Sequence, residues 1–352
     1  MSARSRAERI EGALLGVAVG DALGLPREGL SPRRASRVFG DELRHALLPG
    51  RGMLSDDTEH TCMVGQALLS ARGDAAAFGR SLAWRLRGWL LGLPAGVGFA
   101  TLRALLKLWI GFPPTHSGVR SAGNGPAMRA PLLGACLGDT EALRAHVRAS
   151  TRLTHTDPRA EEGALAVALA AHAAAETGGA PEPGPFLASL LTELRTPELR
   201  AALEAAAAHL ERGDPPAEFA RAQGLERGVT GYVVHTVPVA LYGWLHHRGD
   251  FAAALSSVVR LGGDADTTGA IVGGIAGAGA GAAGIPAPWL AGLCDHPRSL
   301  AWMRRLAAAL ALPRDDPARR PVPLAWPLLP LRNLLFLGIV LLHGFRRLLP
   351  PY

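Results

Sequence analysis

Between Gly269 and Leu293 the chain carries no charged residue, and from Gly269 to Gly284 small residues recur at three- and four-residue spacing. Glycine at such intervals removes the side chains that hold helices apart, so this segment reads as a buried central helix approached closely by its neighbours. A membrane-spanning helix is the rival reading, but spanning needs about 20 predominantly apolar positions and few large apolar residues occur here. Immediately before it stands Leu261-Gly262-Gly263-Asp264-Ala265-Asp266-Thr267-Thr268. Two carboxylates therefore sit at the mouth of a segment bound for burial. An unpaired carboxylate taken out of water costs several kcal/mol or becomes protonated, whereas hydrogen bonds or a bound cation remove the difficulty. The remaining question is whether the chain supplies a second cluster of oxygens.

Composition sets the frame for that search. Hydrophobic residues make up 48% of the 352, enough for a sizeable core in one large domain or two. Aromatics are only 5%, while Ala, Leu and Gly dominate, which favours close-packed helices over sheets and predicts an all-α fold. The net charge of +7 invites a nucleic-acid reading. Lys107 is the single lysine, however, and the arginines are scattered without a sustained run or interleaved aromatics, so no specific nucleic-acid partner is expected. Cys62, Cys136 and Cys294 are odd in number, far apart and outside any C-x-x-C spacing. They read as reduced residues of a cytoplasmic protein. The apolar stretch Ala13 to Leu25 is interrupted by Asp21 and no small-residue cleavage site follows it, which argues against a signal peptide.

A first helix is predicted over Arg4 to Val19, with Ile10, Leu14 and Ala18 on one stripe; Gly20 to Gly29 then ends the regularity and leaves Asp21 and Glu28 around a loop. A helix cap and a solvated turn residue explain those two acids equally well. Next comes Ser55-Asp56-Asp57-Thr58-Glu59 ahead of an apolar helix from about Cys62 to Leu69. Ser55 or Asp56 followed by Glu59 has the form of an N-cap with a capping box. Such a box uses only one of two adjacent aspartates, and the pair repel unless something cationic lies nearby. This is the second oxygen cluster.

Phe78 to Ile110 carries Trp84, Trp89 and Trp109 at spacings that suit helices broken near Gly92-Leu93-Pro94. Core helices with snorkelling arginines are favoured over a membrane-surface pair. The turn Ser121-Ala122-Gly123-Asn124-Gly125, followed by Arg129, could bring backbone amides and a guanidinium to a phosphate, or be only a turn. His155, in Thr154-His155-Thr156-Asp157-Pro158, is a candidate ligand contact, with capping by Thr156 or Asp157 the plain alternative. Alanine-rich helices are expected over Arg159 to Ala175 and Pro197 to Leu210. Pro238 inside the Val-rich run Gly231 to Tyr242 argues for helices meeting at a kink. Six prolines between 313 and 330 make a stiff linker, and residues 331–352 form an apolar tail with arginines at its flanks. That tail could dock on the domain (1–312), mediate self-association or lie on a membrane surface as a peripheral contact.

The acidic clusters, more than 200 residues apart and each opening a helix, are suited to two Mg²⁺ or Mn²⁺ ions, which take carboxylate, hydroxyl and water oxygens. Two such ions about 3.5–4 Å apart can hold vicinal hydroxyls and a water. The absence of histidine and cysteine from both clusters counts against zinc. Gly20-Asp21-Ala22-Leu23-Gly24 with Glu28, Ser55-Asp56-Asp57-Thr58, Gly123-Asn124-Gly125-x-Ala127-Met128-Arg129, Thr154-His155-x-Asp157-Pro158 and Gly262-Gly263-Asp264-x-Asp266-Thr267 occur in the order seen in ADP-ribosylglycohydrolases. Over residues 8 to 300 the chain resembles that family.

The resemblance implies a compact orthogonal multi-helix bundle around a dinuclear Mg²⁺ or Mn²⁺ centre. Its implied reaction is hydrolysis of the glycosidic bond between ADP-ribose and a protein side chain or small acceptor. It assigns Ser55, Asp56, Asp57, Asp264, Asp266 and Thr267 as metal ligands, Glu28 and Asp57 to catalysis, and Ser121, Gly123, Asn124, Gly125, Arg129 and His155 to the ADP-ribose cleft. Two departures stand out: Ser55 replaces a usual threonine, and Ala122 replaces a larger residue beside the glycine turn. The Trp-rich insert and the tail have no matching segment. An isoprenoid-synthase-like enzyme would need a carboxylate where this chain has His60, and a non-catalytic relative would be signalled by a lost ligand, of which there is none.

Overall fold

A computed structural model describes residues 4–350. Helix makes up 67% of the molecule and no strand occurs among the described residues, in agreement with the all-α expectation. Its axis is an antiparallel pair: α1 (Arg6–Gly24) and the central helix (Ala265–Ala280). Gly12, Gly16, Gly20 and Gly24 recur every four residues on one face of α1. A Cβ on any of them would run into the backbone of Gly277, Gly273, Gly269 or Ala265 respectively. The two backbones touch along four turns, which only glycine permits. This overturns the expectation that α1 ends at Val19. Gly20 and Gly24 continue the helix because they serve packing there, and the close approach of the two backbones outweighs their poor helix propensity of about 1 kcal/mol each. At the other end, Ser5 and Glu8 form a capping box.

The antiparallel arrangement has a direct consequence for the acids. The end of α1, which carries Asp21 and leads to Glu28, lies beside the start of the central helix, which carries Asp264 and Asp266. A third terminus joins them: α3 (Asp56–Ala71) is tied to α1 because Asp21 accepts hydrogen bonds from the Ser55 and Thr58 amides.

Several other elements depart from their sequence expectations. Between α1 and α3 lies α2 (Pro32–Phe39), capped by Ser31. The Trp-rich region folds into α4 (Ala75–Leu91) and α5 (Phe99–Trp109), broken where expected, but only Trp89 is core; Trp84 and Trp109 are exposed. Pro238 lies inside one helix, Val233–His246, where two helices meeting at a kink were expected. The proline-rich segment is pinned to the domain, because Val322 exchanges hydrogen bonds of 2.6 and 2.9 Å with the Gln66 side chain. The tail helix, Leu329–Arg346, docks through Leu329, Arg332, Asn333 and Phe336, all buried.

Candidate active site

Asp21 is fully buried, and both of its oxygens serve the start of α3: they accept from the Ser55 amide at 3.1 and 2.9 Å, and one also accepts from the Thr58 hydroxyl at 2.5 Å. It therefore caps a helix, though one more than thirty residues further along the chain. Burial pushes its carboxyl up to about 6, against the hydrogen bonds that favour the ionised form. Ser55 is the N-cap of α3, but Glu59 does not complete a capping box. It turns away to pair with Arg298 at 2.5 Å and to accept from the Trp89 indole at 2.5 Å.

Asp56 and Asp57 open the helix in its first turn, where the aligned peptide dipoles favour negative charge. Asp57 Oδ2 accepts from the Ser55 hydroxyl at 3.0 Å and from the Thr267 hydroxyl at 3.4 Å, which joins the two oxygen clusters directly. Its Oδ1 is buried with no hydrogen-bond partner among the described residues. Burial and then the neighbouring acids raise every carboxyl here whose shift is resolved. Asp56 is pushed up to about 8, Asp57 and Asp266 lie well above the usual range, and Glu28 is raised by burial and by Asp264. Glu28 presents surface to solvent yet feels this burial, because it stands in a concave wall.

The glycines before Asp264 have a backbone task. Gly263 adopts a φ of 72°, and a Cβ there would strike the backbone of Val229. Its N–H donates to Leu30 and its carbonyl accepts from Gly29, which fixes the loop carrying Glu28 against the loop carrying Asp264. From the opposite wall the Asn124 amide reaches Asp264 Oδ2 at 2.5 Å and the Thr236 hydroxyl at 3.0 Å. The glycine turn is thus bound to the second acidic cluster. His155 is buried beside it: a Cβ on Gly123 would lie 3.0 Å from its Nε2. Burial and then Arg129 depress its pKa to about 3, so the imidazole is neutral near pH 7.

These groups surround a cavity of about 650 Å³. Glu28, Asp56, Asp57, Asp264, Asp266 and Thr267 line its acidic side, and Ser121, Gly123, Asn124, Gly125 and His155 line another wall. Ser55 instead borders a smaller cavity of about 80 Å³, shared with Asp56, Asp266 and the tail residues Arg332 and Phe336. Arg129 requires a correction. It does not line the cleft; it is completely buried, donates to Ser150 and Thr154, and contacts His60 Nδ1 at 3.2 Å. The turn motif places its backbone near the cleft, but its side chain satisfies buried oxygens behind the wall.

Sequence reasoning missed the far wall. Gly96 to Ala100, Thr101 and Arg103 of the Trp-rich insert line the same cavity, together with Arg120. Phe99 is exposed there, and the Arg103 guanidinium lies 5.6 Å from its ring centroid. The only signal in the sequence was Phe99 with Arg103 one helical turn further on. Docking of the tail on the domain was one of three alternatives, and its contacts lie close to the site: Arg332 donates to the Leu54 carbonyl, just before Ser55, and pairs with Asp295 at 2.5 Å.

No three His, Cys, Asp or Glu groups among the described residues form a metal cage by themselves. Mutually repelling acids, an unpartnered buried oxygen and two hydroxyls nevertheless fit a hard divalent cation whose shell water completes.

The chain is similar to known proteins over most of its length. A family model described as ADP-ribosylglycohydrolase matches residues 2–319. An uncharacterized protein of Archaeoglobus fulgidus is 32% identical over 297 residues, covering 82% of this chain and 92% of that one. The ADP-ribosyl-[dinitrogen reductase] glycohydrolase of Rhodospirillum rubrum is 30% identical over 323 residues, covering 89% and 99%. A solved structure titled ADP-ribosylglycohydrolase-related protein complex superposes with a TM-score of 0.68 at 30% identity, covering 87% of this chain and 98% of that one. The chain belongs to the ADP-ribosylglycohydrolase family.

Proposed function

We propose that this protein is a metal-dependent hydrolase that releases ADP-ribose from a protein side chain or a small acceptor. Family membership supports the hydrolase class and an ADP-ribosylated substrate. The observation that carries the finer reading is the set of buried, mutually repelling carboxylates around the unpartnered Asp57 Oδ1 beside a cavity of about 650 Å³.

In this reading Ser55, Asp56, Asp57, Asp264, Asp266 and Thr267 would hold two Mg²⁺ or Mn²⁺ ions, which when bound would grip ribose hydroxyls and make water more acidic. The protein's own residues do the rest. Glu28, in the cleft and with its pKa raised by burial and Asp264, is suited to exchange a proton with the attacking water or the departing acceptor. Asp21 keeps Ser55, Asp56 and Asp57 in register by capping α3. The Gly123 to Gly125 turn and His155 give a close-fitting wall for the nucleotide. Arg103 and Arg120 supply positive charge for a pyrophosphate, and Phe99 an aromatic face that Ala122 does not.

The test is release of ADP-ribose from ADP-ribosyl-arginine, ADP-ribosyl-serine and O-acetyl-ADP-ribose, assayed side by side with Mg²⁺ or Mn²⁺ present. Turnover of at least one is expected, abolished by Glu28→Gln. No turnover of any would replace this reading with a non-catalytic ADP-ribose-binding one.

A further inference from the structure

The family match ends at residue 319, so the tail helix Leu329–Arg346 lies outside it. Its two faces differ sharply. Arg332, Asn333 and Phe336 face inward; the Asn333 amide donates to the Gly92 carbonyl at 2.7 Å, and Arg332 reaches Leu54 and Asp295. Just past the helix, Arg347 donates to the carbonyls of Glu28 and Pro26 at 2.7 and 3.0 Å. The outward face carries Leu331, Leu334, Leu335, Leu341, Leu342 and Phe345, each between 51% and 70% exposed. With Gly338 in the gap between Leu335 and Leu341, these positions recur at three- and four-residue spacing along one face. Leu91 and Leu93, exposed on either side of Gly92, adjoin its start. A stripe of this kind is a strong departure from an ordinary soluble surface.

Charge decides what covers it. From residue 317 onward the chain has no acidic residue, and Arg346 is exposed beside the apolar stripe. The end of the helix also lies against α2, which bears Arg33, Arg34 and Arg37 and no acid, and the Arg34 guanidinium donates to the Arg347 carbonyl. Two copies packed parallel on this stripe would bring these arginine groups together, and two packed antiparallel would set them against the leucines at its other end. An anionic surface would attract the exposed Arg33 and Arg346 while taking up the leucines.

Residues 326–346 are long and apolar enough to cross a bilayer, with mean hydropathy 1.7. Crossing would pull Arg332 and Asn333 from their partners into hydrocarbon, and Arg347 holds the far end on the same body. The helix is therefore built to lie flat.

We propose that the outer stripe of the tail helix, with the exposed Arg33 and Arg346 at its end, docks the protein on an anionic lipid surface. Because the same helix lies behind Ser55 and Asp56, docking would set the cleft close to that surface. The proposal is independent of the hydrolase reading.

Full-length protein is floated with vesicles of phosphatidylcholine alone and of phosphatidylcholine with phosphatidylglycerol in equal parts. Recovery with the anionic vesicles should exceed that with the neutral ones by about tenfold and fall with added salt. Leu335→Asp combined with Leu342→Asp should bring it down to the neutral level, with the melting temperature unchanged. A wild-type protein that stays at the bottom with both vesicles would overturn the proposal, as would a double variant that still floats. A wild-type dimer that the double variant makes monomeric, without vesicle binding, would assign the stripe to a second copy instead.

Discussion

Two groups of buried carboxylates flank the start of α3, and they are solved in opposite ways. Behind the helix, Glu59 and Asp295 are matched by Arg298 and Arg332, with the Trp89 indole completing Glu59. On the cleft side, burial and then neighbouring acids raise Asp56, Asp57 and Asp266: Asp21 and Glu59 act on Asp56, Asp21 and Asp56 on Asp57, and Glu28 and Asp264 on Asp266. Arg129, the cation Asp56 does feel, is spent on Ser150 and Thr154. The same chain brings arginine to other buried acids, so the unmatched group is where protons, or the ions proposed above, would supply the charge balance. That contrast carries the metal reading more firmly than the count of acids does.

The contrast breaks first at activity. Asp57→Ala should lower ADP-ribose release by about a thousandfold or more, because one side chain bridges both oxygen clusters. A loss below about tenfold would remove Asp57 from the reaction. Its effect on folding should be small by comparison. Arg298→Met should do the reverse and destabilise the protein by about 3 kcal/mol in denaturant melts, since it leaves the buried Glu59 carboxylate with only the Trp89 indole and Arg332 at 3.6 Å. A near-neutral result would mean that the rear network is not the matched half of the pair.

A smaller effect has the more telling sign. In chelator, Asp266→Asn should stabilise the protein by about 1 kcal/mol, because the amide needs neither the charge nor the proton uptake that burial among acids forces on the carboxyl; destabilisation would show that Asp266 is already satisfied. The same physics gives a pH trend. Asp56 has a folded pKa of about 8 against an ordinary 3.8, so between those values the folded state holds a proton that the unfolded chain has released. Stability without metal should therefore rise as pH falls from about 8 toward 4 and be lost as pH climbs back. With Mn²⁺ present the trend should reverse, since the ion competes with those protons. Melting temperatures in chelator that do not change over this range would contradict the assignment.

The legibility of this molecule in its sequence follows the range of the interactions. Asp264 and Asp266 stood out because glycines and an uncharged run isolate them, and Ser55-Asp56-Asp57 because a helix start uses only one such acid. Both signals are local. Asp21 was undecidable because the helix it caps begins at Asp56, and no local pattern encodes a contact across that distance. Arg129 misled for the mirror reason: its neighbours belong to the cleft, while its side-chain direction is set by Ser150 and Thr154. Two features were open to a closer reading. The four-residue glycine spacing on α1 mirrors that of the central helix and announces their contact. Arg332-Asn333, two polar residues inside an apolar run, mark the tail's anchored face.

Calorimetric titration of the chelator-treated protein with Mn²⁺ at neutral pH, in parallel with Asp266→Ala, tests the metal centre most directly. The expected result is two ions bound per chain by the wild type, a rise in stability of about 2.7 kcal/mol for each ion at a hundredfold excess over Kd, and loss of both in the variant. A wild type that binds no Mn²⁺ and melts unchanged would contradict the dinuclear centre.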